Sequence, residues 1–226
     1  MLLECNVGSR NNFIINDKRE SMSSILDLKA VSDARINSDP FPFFVVENVI
    51  APESVDSVHR AFPEISAGGS FALTEVNPGR AFNNLLEELN QPEFREIISS
   101  KLGLDLRDRP MVITLRGQSR AKDGRIHTDS KSKMATILIY FNEQWESETG
   151  RLRILRSENM EDFVSEVAPN VGTMIAFKVT DNCWHGYPAF EGLRQSIQIN
   201  FVEDDRAANK HGKRHGWTAK LKKLFS

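Results

Sequence analysis

The sequence predicts an α+β fold, a double-sheet β-roll carried on helices drawn mostly from the N-terminal half. Three observations lead there. Helical apolar spacing dominates the first 102 residues, whereas short β-rich runs follow one another from 111 to 202. One of those runs, 136–142 (Thr-Ile-Leu-Ile-Tyr-Phe-Asn), is apolar almost throughout, as expected of a strand buried on both faces. Helices first and strands after is the pattern of a helical layer packed on an antiparallel, two-sheet core.

Taken in order, residues 1 to about 23 are polar and without sustained period, a lead-in that extends through a weakly helical 24–36 to about residue 40. Pro40 and Pro42 stop that helix. The run 43–49 is β-rich. Pro52 and Glu53 then open a helix whose stripe is Val55, Val58 and Phe62. Residues 67–79 read as loop, and 82–89 and 93–102 as helices ended by Gly103. Strands are expected at 111–116, 136–142, 151–155, 172–178 and 196–202, with a polar loop over 117–124. The resulting division is a lead-in (1–40), one domain (41–204) and a basic amphipathic tail (205–226).

Composition narrows the function classes. An apolar content of 40%, a charged content of 27% and a net charge of −2 are those of an ordinary globular chain with no general attraction to polyanions. The tail differs: from Arg206 onward seven Lys/Arg occur without one acid, and Trp217, Leu221, Leu224 and Phe225 share a helical face. Self-association or peripheral attachment to an anionic membrane is the expectation for that segment. Nucleic acid is not expected, because the basic charge is confined there. Two cysteines, Cys5 and Cys183, give no disulfide framework, and neither a signal peptide nor a membrane-spanning run is evident, so a cytoplasmic setting is expected.

The chemistry gathers around His127-Thr128-Asp129. Residues i and i+2 of a strand project from one face, so His127 and Asp129 can offer an imidazole and a carboxylate to one ion. His185, in Trp184-His185-Gly186, would complete a 2-His-1-carboxylate set, which leaves open positions and suits non-haem Fe(II) oxygen chemistry. Arg194 follows nine residues later on a returning strand. A guanidinium inside a β-roll needs a carboxylate, and the distal carboxylate of 2-oxoglutarate fits its fork. Ser196 shares the face of Arg194, and Tyr140 shares that of Thr136 and Leu138, so both can reach the same carboxylate. Arg116 and Arg125 fit substrate contacts or solvated charges, and Ser130-Lys131-Ser132-Lys133 a site rim or a solvated turn. Two other classes compete: a non-catalytic β-roll binding module, and a thiol-dependent enzyme using Cys183. His211 and His215 lack a third ligand.

On these residues the sequence resembles the Fe(II)/2-oxoglutarate-dependent oxygenases, in particular their prolyl-4-hydroxylase-like branch. The resemblance runs over about 41–202 and is strongest from 115. It rests on His127-Thr128-Asp129, the strand ending in Tyr140-Phe141-Asn142 with Trp145 after it, Thr149-Gly150-Arg151-Leu152, Trp184-His185 and Arg194. It implies a double-stranded β-helix (jelly-roll or cupin-like) with flanking helices. It also implies His127, Asp129 and His185 as catalytic iron ligands, and Arg194 and Tyr140 as holders of the co-substrate. Arg116 stands where the branch often has a second tyrosine at the co-substrate pocket. The implied reaction consumes 2-oxoglutarate and O2, releases succinate and CO2, and hydroxylates a substrate that the sequence leaves open among small molecules, lipids or saccharides, and peptides. A nucleic-acid-demethylating relative would carry a second arginine six residues after Arg194, where this chain has Asn200.

Overall fold

A computed structural model of the chain describes residues 24–209. The polar 1–23, the apolar stripe of the tail, His211 and His215 lie outside them.

The helices form where their ends are chemically marked. Helix α1 (Leu28–Asp33) is capped by the Asp27 side chain, which accepts from the Ala30 amide at 2.8 Å. Helices α2 (Pro52–Arg60) and α4 (Pro92–Leu102) carry proline in the first turn, where its missing N–H costs nothing. Helix α3 (Arg80–Leu89) lies between them, and α4 ends on Gly103 in the left-handed conformation (φ 61°). The segment ahead of α1 is part of the body: Glu88 of α3 accepts from the Ile25 and Leu26 amides at 3.0 and 2.8 Å. Ile25, Leu26 and Val31, from within the 1–40 lead-in segment, are buried in the main core.

Among the described residues nine strands build two antiparallel sheets. They are β1 (Phe43–Val46), β2 (Phe71–Ala72), β3 (Met111–Ser119), β4 (Lys133–Tyr140), β5 (Leu152–Leu155), β6 (Phe163–Val167), β7 (Met174–Lys178), β8 (His185–Gly186) and β9 (Gly192–Val202). The large sheet has the order β1-β7-β4-β9-β3-β2 and the small one β6-β5-β8. This is the α+β arrangement expected, with the helices against one face of the large sheet.

Period-2 alternation divides the side chains of the large sheet between two environments. Ala135, Ile137 and Ile139 of β4, with Ile197, Ile199 and Phe201 of β9, join the helices in the main core. Between them come Thr136, Leu138 and Tyr140, and Arg194, Ser196, Gln198 and Asn200, which face the small sheet. A second apolar cluster closes the base of that inter-sheet space, with Phe41, Phe43, Phe177, Ile154 and Tyr140. A one-residue slip of β9 would exchange the two sets, so the demands of the core fix the register of the polar row.

The structure departs from the expected boundaries at several points: β1 ends at Val46, and β4 and β9 begin earlier, at Lys133 and Gly192. The 67–79 loop contains the edge strand β2 and a 3-10 turn, Leu73–Glu75. Strand β3 continues to Ser119 through a bulge beside Gly117, where a Cβ would meet the Ile65 carbonyl oxygen at 2.4 Å. Strands β6 and β8 are additional to those expected; the two residues of β8 hold no period. The 172–178 strand does not run on to His185: β7 ends at Lys178, and His185 belongs to the other sheet. No helix among the described residues is long and apolar enough to cross a membrane.

Candidate active site

His127 is not in a regular strand but in a single antiparallel bridge with His185. Each backbone amide donates to the carbonyl of the other at 3.0 Å, and the two rings stand with centroids 4.3 Å apart. Each imidazole is fixed in the same way, with Nδ1 against the carbonyl oxygen two residues earlier: Arg125 at 2.9 Å for His127, Cys183 at 2.8 Å for His185. A carbonyl only accepts, so Nδ1 carries the proton and Nε2 keeps its lone pair. Burial pushes His185 down to about pH 4, against the opposing pull of Asp129, so it is neutral at pH 7 as a metal ligand must be.

Asp129 is buried and held on both oxygens. Lys133 Nζ lies 2.6 Å from Oδ1, and the Thr136 hydroxyl, 2.5 Å from Oδ2, donates to it. Burial would raise this carboxyl. The charge of Lys133 and the hydrogen bonds from Lys133 and Thr136 outweigh it and hold the group below the usual carboxylate range. One donor atom from each of His127, Asp129 and His185 lies within 4.8 Å of the other two. Two imidazoles and an ionised carboxylate at that spacing fit one divalent ion. His127 is exposed and His185 buried, so the site opens on the His127 side.

An inner cavity extends from this cluster between the sheets, lined in part by Leu138, Leu152, Arg194, Ser196 and Gln198. Arg194 is 4% exposed; its Nε donates to the Gly150 carbonyl at 2.8 Å, and its guanidinium lies 4.0 Å from the Tyr187 ring centroid and 5.1 Å from that of Tyr140. Ser196 faces Tyr140 across the β4–β9 pairing and Arg116 across the β3–β9 pairing, so these three stand on one rung. Arg194 Nη2, Tyr140 Oη and Ser196 Oγ are all buried without a hydrogen-bond partner. Burial pushes the Tyr140 phenol up, so it remains an O–H donor. Three donors left unsatisfied in one region are costly unless an acceptor comes to them, and a carboxylate has the right capacity.

Of the residues singled out from sequence, His127, Asp129, His185, Arg194, Tyr140, Ser196 and Arg116 are all brought to this space. Arg125 is exposed, and Lys131 is in an exposed ion pair with Asp181. Cys183 is fully buried, burial pushes its thiol up, and its sulfur is 3.4 Å from the Asp129 amide that donates to it. Such a thiol is not a nucleophile, and the thiol-enzyme alternative is corrected accordingly.

Four contributors escape sequence reasoning. Lys133 reads there only as a rim residue, although its distance of four from Asp129 is visible. Thr136 shares parity with Tyr140. Tyr187, two residues from His185 and so on its face, supplies the stacking surface, its hydroxyl 3.0 Å from Ser119 Oγ. Gly150 supplies the carbonyl that orients Arg194. Its φ of 77° excludes a side chain, as does the Trp145 ring, which a Cβ would meet at 2.7 Å.

The 2OG-Fe(II) oxygenase superfamily matches this sequence over residues 117–202. No curated protein matches the chain. Among solved structures, a Pseudomonas putida prolyl-4-hydroxylase is similar at 17% identity and a TM-score of 0.53, over 78% of this chain and 92% of that one. A Trichoplax adhaerens prolyl hydroxylase, solved with a hypoxia inducible factor peptide fragment, is similar at 16% identity and a TM-score of 0.52, over 80% and 91%. At such identities the likeness is one of fold. Motif and donor set agree with the match of residues 117–202 to the 2OG-Fe(II) oxygenase superfamily, and the fold is a double-stranded β-helix similar to that of the prolyl-4-hydroxylases.

Proposed function

We propose that the protein is an Fe(II)- and 2-oxoglutarate-dependent dioxygenase that hydroxylates a substrate C–H and releases succinate and CO2. The observation that carries this reading is that one cavity joins two features. His127 and His185, of the three residues whose ligand atoms lie within 4.8 Å of one another, line it, and so do Arg194 and Ser196, which with Tyr140 carry buried donors without a partner.

In this reading His127, Asp129 and His185 hold the iron, and the three inner donors hold the distal carboxylate of 2-oxoglutarate. Bound iron with 2-oxoglutarate supplies the oxidative decarboxylation and the C–H oxidation. The chain does the rest. The carbonyls of Arg125 and Cys183 hold the imidazoles in the tautomer that presents Nε2. Lys133 and Thr136 orient Asp129 and keep it ionised. Tyr187 and the Gly150 carbonyl set the plane of the Arg194 guanidinium, so that one edge faces the cavity. Leu138 and Leu152 on the cavity wall limit water around the co-substrate.

The test is O2-dependent conversion of 2-oxoglutarate to succinate by the purified full chain with Fe(II), alongside the visible charge-transfer band of an anaerobic Fe(II)–2-oxoglutarate chelate. Both are expected in the wild type and absent in His127→Ala. A wild-type protein that binds no Fe(II) and forms no succinate would overturn the proposal.

A further inference from the structure

The inner cavity adjoins a second, outer groove that also borders the ligand cluster, at His127 and Asp129. Both spaces share Arg116, His127 and Gln198 on their walls. The rest of the groove is Ser70, Thr114, Thr128, Asp129, Ser130, Lys133 and Asn200. Among the described residues no Phe, Tyr, Trp or aliphatic side chain contributes to it. A group brought to the open side of the cluster therefore meets hydroxyls, amides, cations and one carboxylate, Asp129, which is already paired with Lys133.

Arg116 is the decisive member. It is half-buried on the walls of both spaces, and among the described residues no hydrogen bond or ion pair engages it. The acids near it are already committed. Asp123 takes the Arg120 side chain at 2.8 and 3.1 Å and the Arg120 amide at 3.0 Å. Asp129 is held by Lys133 and Thr136. The Tyr187 hydroxyl is engaged with Ser119. Burial and the neighbouring Arg194 and Arg120 all work against the charge on Arg116. A half-buried guanidinium without a partner, beside a second one and at the junction of two cavities, is matched by an oxyanion brought into either space.

The inner donors already account for one carboxylate without Arg116. Strand β3 sets Arg116 on the rung of Ser196, at the junction where the cavity passes into the groove. Its reach is thus toward whatever lies next to the cluster. Lys133, also on the groove wall and paired with Asp129, adds a second positive charge nearby.

We propose that the substrate is a small, hydroxyl-rich molecule bearing an oxyanion, carboxylate or phosphate, which Arg116 binds at the junction of the two cavities. A peptidyl proline is disfavoured, because its ring would gain nothing from a wall of Thr, Ser, Asn, Gln and Lys and would leave Arg116 unpaired. This assignment rests on the iron and 2-oxoglutarate reading above, since that reading takes the inner donors for the co-substrate.

The full chain loaded with Mn(II) and 2-oxoglutarate, which binds without turnover, is titrated calorimetrically with glucose 6-phosphate, glucuronate, glucose and a proline-containing tripeptide. At least one of the two anionic sugars is expected to bind about tenfold or more tighter than glucose, and the better of the two identifies the oxyanion. Arg116→Gln is expected to weaken that anion about thirtyfold, with Arg116→Lys recovering part of the loss, while 2-oxoglutarate is affected far less. Tripeptide binding tighter than both anions overturns the proposal. So does an Arg116→Gln variant that loses 2-oxoglutarate affinity and keeps anion affinity, which would return Arg116 to the co-substrate. If the wild type binds neither Mn(II) nor 2-oxoglutarate, it is the functional reading that fails; the same anion titration in EDTA then decides the groove alone, with Arg116-dependent binding supporting it and no binding overturning it.

Discussion

His127 and His185 are bonded to each other through their main chains, amide to carbonyl in both directions at 3.0 Å, with their rings 4.3 Å apart between centroids. Two side chains 58 positions apart in sequence are thus placed by a single backbone bridge rather than by two separate loops. Ligand geometry inherits the precision of that bridge. Gly186 allows the approach, since a Cβ there would meet the Gly124 carbonyl oxygen at 2.8 Å.

Acid should loosen the metal-free protein through His185. Its folded-state pKa, about 4, lies below the ordinary value of 6.5, so the unfolded chain takes up the proton first. The stability contributed by the neutral, buried ring is therefore complete above about pH 6.5 and is lost progressively as pH falls toward 4, on the order of 3 kcal/mol at most. Urea denaturation in EDTA at pH 7.5, 6 and 5 should show falling stability, and His185→Gln should flatten the slope. An equal slope in the variant would assign the effect to other groups.

Lys133 and a metal ion compete to balance the same carboxylate. In Lys133→Met the metal-free protein keeps a buried Asp129 with no cation, a defect that costs about 3–5 kcal/mol when one partner of a buried pair is removed. The metal-free variant should melt well below wild type, and Mn(II) should raise its Tm by a larger increment than it raises the Tm of wild type. A smaller increment would mean that Lys133 assists metal binding chiefly by orienting Asp129.

Arg194 and Tyr140 should separate in their effects on 2-oxoglutarate. Arg194→Met removes a buried charge partner of the carboxylate, about 2–5 kcal/mol, and should weaken co-substrate binding by roughly thirtyfold or more. Tyr140→Phe removes one hydrogen bond and should cost about tenfold. Calorimetry on the Mn(II) form reads both, and a Tyr140→Phe loss as large as that of Arg194→Met would contradict the assignment.

Gly124 carries the Tyr187 stacking surface indirectly. Its φ is 78°, and a Cβ would sit 2.4 Å from the Tyr187 ring. Gly124→Ala should lower stability by about 1–3 kcal/mol and weaken 2-oxoglutarate binding as the ring shifts off Arg194. Cys183→Ala is the control: a buried acceptor of one long hydrogen bond is lost, and O2-dependent succinate formation should persist.

The sequence by itself was sufficient for much of this protein. Capped and proline-led helices before residue 103, period-2 strands after it and the order His127, Asp129, His185, Arg194 are local or pattern-level signals, and the reaction class follows from the residue types. Parity placed Tyr140 on the face of Thr136 and Ser196 on that of Arg194, because alternation is fixed by the backbone, while the β4–β9 register brought the two faces together. Tertiary structure decided what depends on contacts between distant segments. The two-residue β8 exists because β5 pairs with it, and His127 only bridges to it, so neither showed a strand signal. Lys133 becomes a buried partner of Asp129, rather than a solvated turn residue, because β4 turns it inward. Tyr187 reaches Arg194 only because Gly124 leaves room for its ring. Arg116 lies at the junction of two cavities through the β3–β9 register, and no spacing along the chain contains that register.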